Sequence, residues 1–187
     1  ELAMQLQPAK DCLRAMGALV LSKEGYEADD ILGTLAAMAE KKDVMTYIVT
    51  GDRDSLQLIT EKTNVVLATN TEPILFDTAA FTEKYGVLPS QFVDVKALMG
   101  DSSDNIPGVA GVGEKTATDL ISRFGSIDYI YENLDSLDIK AGIKAKLEAG
   151  KEQAFFSRWL GTICKEAPIL NDINAYINRE TDQTAVA

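Results

Sequence analysis

The run Val44-Met45-Thr46-Tyr47-Ile48-Val49 constrains this chain most, because it is apolar, rich in β-branched residues and closed abruptly by Thr50-Gly51. Such a run reads as a strand buried in a sheet. Asn64-Val65-Val66-Leu67-Ala68 has the same character, and Ala18-Leu19-Val20-Leu21 is a shorter version of it. The intervening spacing predicts helices. One covers 2–16, carried by Leu2, Leu6, Ala9, Leu13 and Met16, with Pro8 as an alternative starting point. A second runs from Glu27 to about Lys41, with Ile31, Leu32, Leu35 and Met38 on one face, and a short third covers 53–60. Alternation of this kind predicts an α/β layer on a largely parallel sheet.

The character changes near Tyr85-Gly86. A helix runs from Pro89 through Met99, then comes a glycine-rich loop, then helices over about 114–123, 126–133, 140–149 and 151–164. No further strand is expected before the C-terminal tail, and Trp159, on an apolar helical face, is expected in the core. The chain therefore divides into an α/β portion over 1–96 and a helical portion over 97–187, whose tail from about 166 is unassigned.

Composition narrows the chemistry. The 187 residues include no histidine, which excludes Ser-His-Asp triads, His-ligated zinc and imidazole bases. The two cysteines, Cys12 and Cys164, are far apart and fit a reducing compartment, the cytoplasm, rather than a disulfide scaffold. No apolar stretch approaches a membrane span. The net charge is −11, with 9 basic against 15 acidic residues in 1–99 and 9 against 14 in 100–187. Charge alone therefore gives no sign of nucleic-acid binding. What remains is chemistry on carboxylates, hydroxyls, Lys or Arg, with a hard metal ion.

Acidic residues gather at three places. Glu27-Ala28-Asp29-Asp30 opens a helix, where acidic side chains also complement the helix dipole. Asp52-Arg53-Asp54 stands at the carboxyl end of the most apolar strand, where ligands bind in open α/β sheets; Asp52 also suits a helix N-cap. Asp101 and Asp104 lie three apart in a polar turn, as metal ligands or as plain turn residues. Seven carboxylates converging in one crevice would require cations, and oxygen-only ligands select Mg²⁺ or Mn²⁺. Two such ions are a device for phosphodiester hydrolysis. Separately, Gly108-Val109-Ala110-Gly111-Val112-Gly113-Glu114-Lys115-Thr116 carries three spread glycines and then opens a helix, a form that can grip a phosphate without reading sequence. It lacks the spacing and preceding strand of a P-loop.

Three segments in register, Gly25 to Ala36, Thr50 to Leu58 and Ala97 to Ala117, resemble the 5′→3′ exonuclease domains of bacterial DNA polymerase I, a family similar to phage 5′ exonucleases and flap endonucleases. The likeness extends to about residue 165. It implies a partial PIN-like nuclease domain followed by an all-helical, SAM-like domain with a helix–three-turn–helix. It further implies a divalent-metal-dependent enzyme that hydrolyses DNA at 5′ ends and flaps in replication and repair, a monomer linked to a polymerase domain in the native protein. By motif, Glu27, Asp29, Asp30, Asp52, Asp54, Asp101 and Asp104 belong to the acidic centre, with Glu27 acting through water. Asp52, Asp54, Asp101 and Asp104 serve one metal group and the first cluster the other. Gly108, Gly111, Val112, Gly113, Lys115 and Thr116 match the duplex-binding loop, with K⁺ bridging loop carbonyls and DNA. The family's upstream strand, two further Asp and cationic arch have no counterpart here, so the expectation is a piece of a longer protein with reduced or no activity alone. Two alternatives stand beside this reading. One is a non-catalytic duplex- or flap-binding module. The other is a haloacid-dehalogenase-like phosphatase built on Asp52-Arg53-Asp54, disfavoured because a helix rather than a strand precedes Asp101.

Overall fold

The computed structural model describes residues 2–170, 172–177 and 180–181. The chain forms two compact units, Glu1–Asp43 with Cys164–Ala187, and Val44–Ile163.

In the first unit, α1 (Leu2–Ala15) runs through Pro8 rather than starting at it. Helix α2 (Ala28–Glu40) buries Ile31, Thr34, Ala36 and Ala39. The expected strand at Ala18–Leu21 is not formed; these residues have no regular structure. A strand exists only through its ladder, and the described part of this unit holds helices and a 3₁₀ turn at Ile173–Tyr176 but no strand for Ala18–Leu21 to pair with. Side chains of α2 instead bind the C-terminal segment. The Cys164 N–H donates to Asp30 Oδ1 at 2.8 Å, and the Ala167 N–H donates to Thr34 Oγ1 at 2.9 Å.

The second unit is built on a sheet of β1 (Thr46–Thr50), β2 (Thr63–Leu67) and β3 (Ile74–Phe76), in that order. The expectation of a largely parallel sheet holds for one pairing: β1 and β2 are parallel with Ile48 opposite Val65, whereas β2 and β3 are antiparallel. Strand β3 escaped the sequence reading because three residues carry no period. Helix α3 (Thr78–Tyr85) also escaped it, although Asp77 caps it through Ala80 N–H and Gly86 closes it at φ +71°. The segment after β1 is helical as expected but of the 3₁₀ kind, Arg53–Leu58. A short 3₁₀ turn at Pro89–Gln91 leads into α4 (Phe92–Met99). Then follow α5 (Glu114–Phe124), α6 (Ile127–Asn133), α7 (Ala141–Ala149) and α8 (Lys151–Gly161), close to the expected bounds. Leu56, Val65, Phe81, Leu98, Ile121, Ile127 and Leu147 are fully buried. Phe81 and Phe92 meet edge to face, with ring centroids 5.4 Å apart. Among the described residues no helix is long and apolar enough to cross a membrane.

Trp159 is 72% exposed, against the expectation that it lies in the core. Helix α8 buries its small residues Ala154, Ser157 and Gly161 instead. A Cβ on Gly161 would stand 3.4 Å from Ile106 Cδ1 and 3.8 Å from Val93 Cγ2, so the helix packs closely on its small face and leaves Phe156 and Trp159 stacked outside. Gln57 links the 3₁₀ turn to the end of α8, donating to Gly161 O at 2.9 Å and accepting from Ile163 N–H at 3.1 Å.

The turn between α4 and α5 is closed at its base. Asp101 and Ile106 exchange two backbone hydrogen bonds of 2.8 Å, and Gly100 (φ +77°) packs on Gly108 (φ +62°). A Cβ on Gly108 would lie 2.2 Å from Gly100 N and 2.6 Å from Gly100 Cα and Met99 C, all of them backbone atoms. Gly108→Ala should therefore cost about 3 kcal/mol or more in urea denaturation. Gly142→Ala, in a helix with no atom near the added methyl, should stay within about 0.5 kcal/mol of the parent or stabilise slightly.

Candidate metal centre and glycine loop

The end of β1 delivers the first carboxylates of the second unit. The Asp52 N–H donates to Thr50 Oγ1 at 3.0 Å, and Asp52 Oδ1 accepts from Asp54 N–H at 2.9 Å. Asp52 is thus the N-cap of the 3₁₀ turn. This cap fixes the next residue but one, Asp54, whose side chain is 18% exposed. The closed turn supplies Asp101 and Asp104. One Asp101 oxygen is held by Ser103, whose N–H donates at 2.9 Å and whose hydroxyl also donates, so the other oxygen faces inward.

Asp54, Asp101 and Asp104 each offer an oxygen within 4.8 Å of the others. Lys96, from the last turn of α4, places its ammonium among them. It bonds Asp54 Oδ1, lies 2.8 Å from Asp101 Oδ2 and 3.9 Å from Asp104 Oδ2, with its side chain only 4% exposed. The sequence reading missed Lys96. Its signal was a lysine, with Asp94, inside an otherwise apolar helix, where a charge is buried only if paired. Burial alone would pull the Lys96 pKa down, but the hydrogen bonds to Asp101 and Asp54 outweigh it and the pKa rises. The Lys96 bond, with Ser103, holds Asp101 at about 2. Burial pushes Asp54 up, against the pull of Lys96. The donor set is oxygen only, and it fits a hard divalent cation.

In the first unit, Glu27 is the N-cap of α2 and Asp29 and Asp30 lie in its first turn. Asp30 carries fold bonds on both oxygens, from Glu27 N–H at 3.1 Å and from Cys164 N–H at 2.8 Å.

The glycine loop divides by role. Gly108 donates its N–H to buried Ser157 Oγ at 3.0 Å. Val112 is 3% exposed and its N–H closes a turn onto Val109 O at 3.0 Å. These two serve the packing of the loop. Gly111 (φ +76°), Gly113, Lys115 and Thr116 lie on the outer side, with Gly113 as the N-cap of α5. The first helical bonds of α5 are those of Thr116 and Ala117 N–H to Gly113 O, at 3.0 and 2.9 Å, so the N–H groups of Glu114 and Lys115 lie ahead of the intrahelical ladder. Lys146, also missed from sequence, donates to Gly111 O at 2.9 Å. Arg123 and Lys140 line a groove with Lys115 and Thr116.

Asp30→Ala should lose about 2–4 kcal/mol of stability in metal-free buffer, because two backbone N–H groups lose a charged acceptor. Asp101, ionised at a lower pH in the fold than the ordinary 3.8, contributes stability above its unfolded pKa and loses it as the pH falls through about 2. Asp101→Asn should therefore flatten the loss of stability between about pH 4 and pH 2, measured by urea denaturation at each pH.

Residues 1–86 match the 5′-3′ exonuclease N-terminal resolvase-like domain, and residues 87–184 match the 5′-3′ exonuclease C-terminal SAM fold. DNA polymerase I of Bacillus subtilis (strain 168) is 44% identical over 171 residues, covering 90% of this chain and 19% of that protein. The thermostable DNA polymerase I of Thermus filiformis is 43% identical over 178 residues, covering 95% of this chain and 21% of that protein. The chain thus spans about a fifth of the length of the curated relatives it matches. Among solved structures, the T5 5′-exonuclease with bound zinc ions superposes with a TM-score of 0.68 at 28% identity, covering 77% of this chain and 52% of its own. The catalytic core of Rad2 with DNA substrate shares the fold, with a TM-score of 0.63 at 15% identity over 99% of this chain and 62% of its own. With both halves matched in order, a mixed α/β, PIN-like part and a helical SAM-fold part, the chain belongs to the 5′-3′ exonuclease family.

Proposed function

We propose that this chain contributes a divalent-metal site and a duplex grip to the hydrolysis of DNA at 5′ ends and flaps. The single observation that carries this is the convergence of Asp54, Asp101 and Asp104 at the end of β1, beside a glycine loop that opens α5. Asp54, Asp101 and Asp104, with Asp52 supporting Asp54, would hold Mg²⁺ or Mn²⁺; Glu27, Asp29 and Asp30 would hold a second ion. Bound there, a divalent ion lowers the pKa of water and stabilises charge on a phosphate oxygen. The protein's own part is to fix the carboxylates and the DNA. Gly111 and Gly113 let a phosphate approach the backbone, and the leading N–H groups of α5 with Lys115 and Thr116 hold it without reading bases. K⁺ at the loop carbonyls would share that charge, alongside Lys146 on Gly111 O. The metal-bound T5 enzyme, and a T5 flap endonuclease solved as a pseudo-enzyme-product complex with DNA and metal ions at 27% identity, support this reading.

The test is cleavage of a 5′-labelled flap DNA by this chain with Mg²⁺ or Mn²⁺. Cutting is expected to be abolished by EDTA and reduced by about 10² or more in Asp104→Ala, a half-exposed ligand whose loss spares the fold. Cutting that survives EDTA or Asp104→Ala would overturn the metal site. Binding of the flap without cutting, from a folded chain, would leave a duplex-binding module carried by the α5 loop; Lys115→Ala should then weaken binding at every sequence and lower its salt dependence.

A further inference from the structure

We propose that Lys96 is a resident cation of the carboxylate site: its ammonium holds Asp54, Asp101 and Asp104 together when no divalent ion is bound, and gives way to that ion when one binds. The inference rests on the metal-binding reading above and concerns how this chain keeps its ligands ready.

The geometry is that of a filled position. Lys96 Nζ contacts Asp54 Oδ1 and Asp101 Oδ2 and stands 3.9 Å from Asp104 Oδ2, the three carboxylates that lie within 4.8 Å of one another. Ser103 occupies the other oxygen of Asp101, so the oxygen given to Lys96 is the one aimed into the cluster. An ammonium and a divalent ion require the same lone pairs. A magnesium ion draws oxygens to about 2.0–2.1 Å, and a unit positive charge cannot share the centre of that shell.

Charge fixes the direction of the effect. Without any cation, three carboxylates at this separation repel, and two of them are largely withdrawn from water, with side-chain exposures of 18% for Asp54 and 20% for Asp101. With Lys96 present, the empty site is compensated and the ligands stay close to their metal-bound arrangement. Preformed ligands cost little to organise on binding, while the need to displace an ammonium weakens affinity. Lys96 thereby exchanges metal affinity for order in the empty site. A lysine serves here better than an arginine, since its compact ammonium sits on a flexible stem that can withdraw. Lys96 is thus a positioning residue, acting on the reaction through the carboxylates.

The experiment compares the chain with its Lys96→Met and Asp104→Asn variants, reading Mn²⁺ binding by free-ion EPR and thermal unfolding in EDTA and in Mn²⁺. In EDTA, Lys96→Met should melt roughly 4 °C or more below the parent. Saturating Mn²⁺ should raise its Tm by more than it raises the parent's, narrowing the gap. Its apparent Mn²⁺ affinity should be tighter by about tenfold. An equal loss of Tm with and without Mn²⁺, together with an unchanged or weaker affinity, would make Lys96 a merely structural buried lysine and overturn the proposal, leaving the metal site intact. No saturable Mn²⁺ binding by the parent, unaltered by Asp104→Asn, would instead remove the metal reading and this inference with it. A measurement on the unmutated chain covers the case in which Lys96→Met does not fold. The ¹⁵N signal of the Lys96 ammonium should shift or broaden in step with Mg²⁺ occupancy and stop at saturation. A signal unchanged through saturation would overturn the displacement.

Discussion

The ammonium of Lys96 among three carboxylates is the interaction on which the arrangement of the second unit depends. A lysine side chain exposed to only 4% has lost nearly all its hydration and is tolerable only with anionic partners at hydrogen-bond distance. Those partners come from separate stretches of chain, the turn after β1 and the loop after α4. The ion pairs therefore act as a long-range clamp between the strand end and the helix. While no divalent ion compensates the carboxylates, neither side can shift without leaving a buried charge unpaired, a loss far larger than that of an exposed pair.

The surrounding bonds make sense as supports of that clamp. Thr50 accepts from Asp52, Asp52 accepts from Asp54, and so the aim of Asp54 is set by two short local bonds. On the opposite side the paired backbone of Asp101 and Ile106 and the contact of Gly100 with Gly108 close the loop that carries Asp101 and Asp104. Gly108 then passes its N–H to Ser157, which explains why α8 turns its small residues inward. The glycine that begins the glycine loop is thus also the one that closes the loop carrying Asp101 and Asp104, so the two elements share one piece of backbone.

How much of this was legible in the sequence depended on whether the signal was local. The convergence of Asp54, at the end of an apolar strand, with Asp101 and Asp104 in a polar turn was legible because strand ends and turns gather side chains through local geometry, as was the capping role of Asp52. Helices α4 to α8 were legible at close to their observed bounds. Lys96 was not, because a lysine near a helix C-terminus reads as a solvated residue that complements the dipole; only the tertiary fold shows that its face is buried. Trp159 misled for the converse reason. Its apolar neighbours suggested an inward face, but the close approach of α8 selected Ala154, Ser157 and Gly161. Ala18–Leu21 had strand composition and no described strand to pair with, and a ladder is a property of two segments, not one.

Counting lone pairs separates the acidic residues that the sequence grouped as equals. Asp30 accepts backbone N–H groups on both oxygens, and one of these comes from a segment 134 residues away. Asp52 spends one oxygen on the cap of its own turn. Asp101 is divided, one oxygen on Ser103 and the other on Lys96. Asp104, half exposed and 3.9 Å from the ammonium, is the least committed of the cluster in the second unit. A carboxylate that closes backbone gaps is held rigidly, whereas one left to water and a distant ammonium has room to reorient. The cluster therefore combines fixed and adaptable carboxylates, and on the proposed metal-binding reading an incoming ion would move Asp104 first and Asp54 last, where the cap and the buried lysine leave the side chain least room to move.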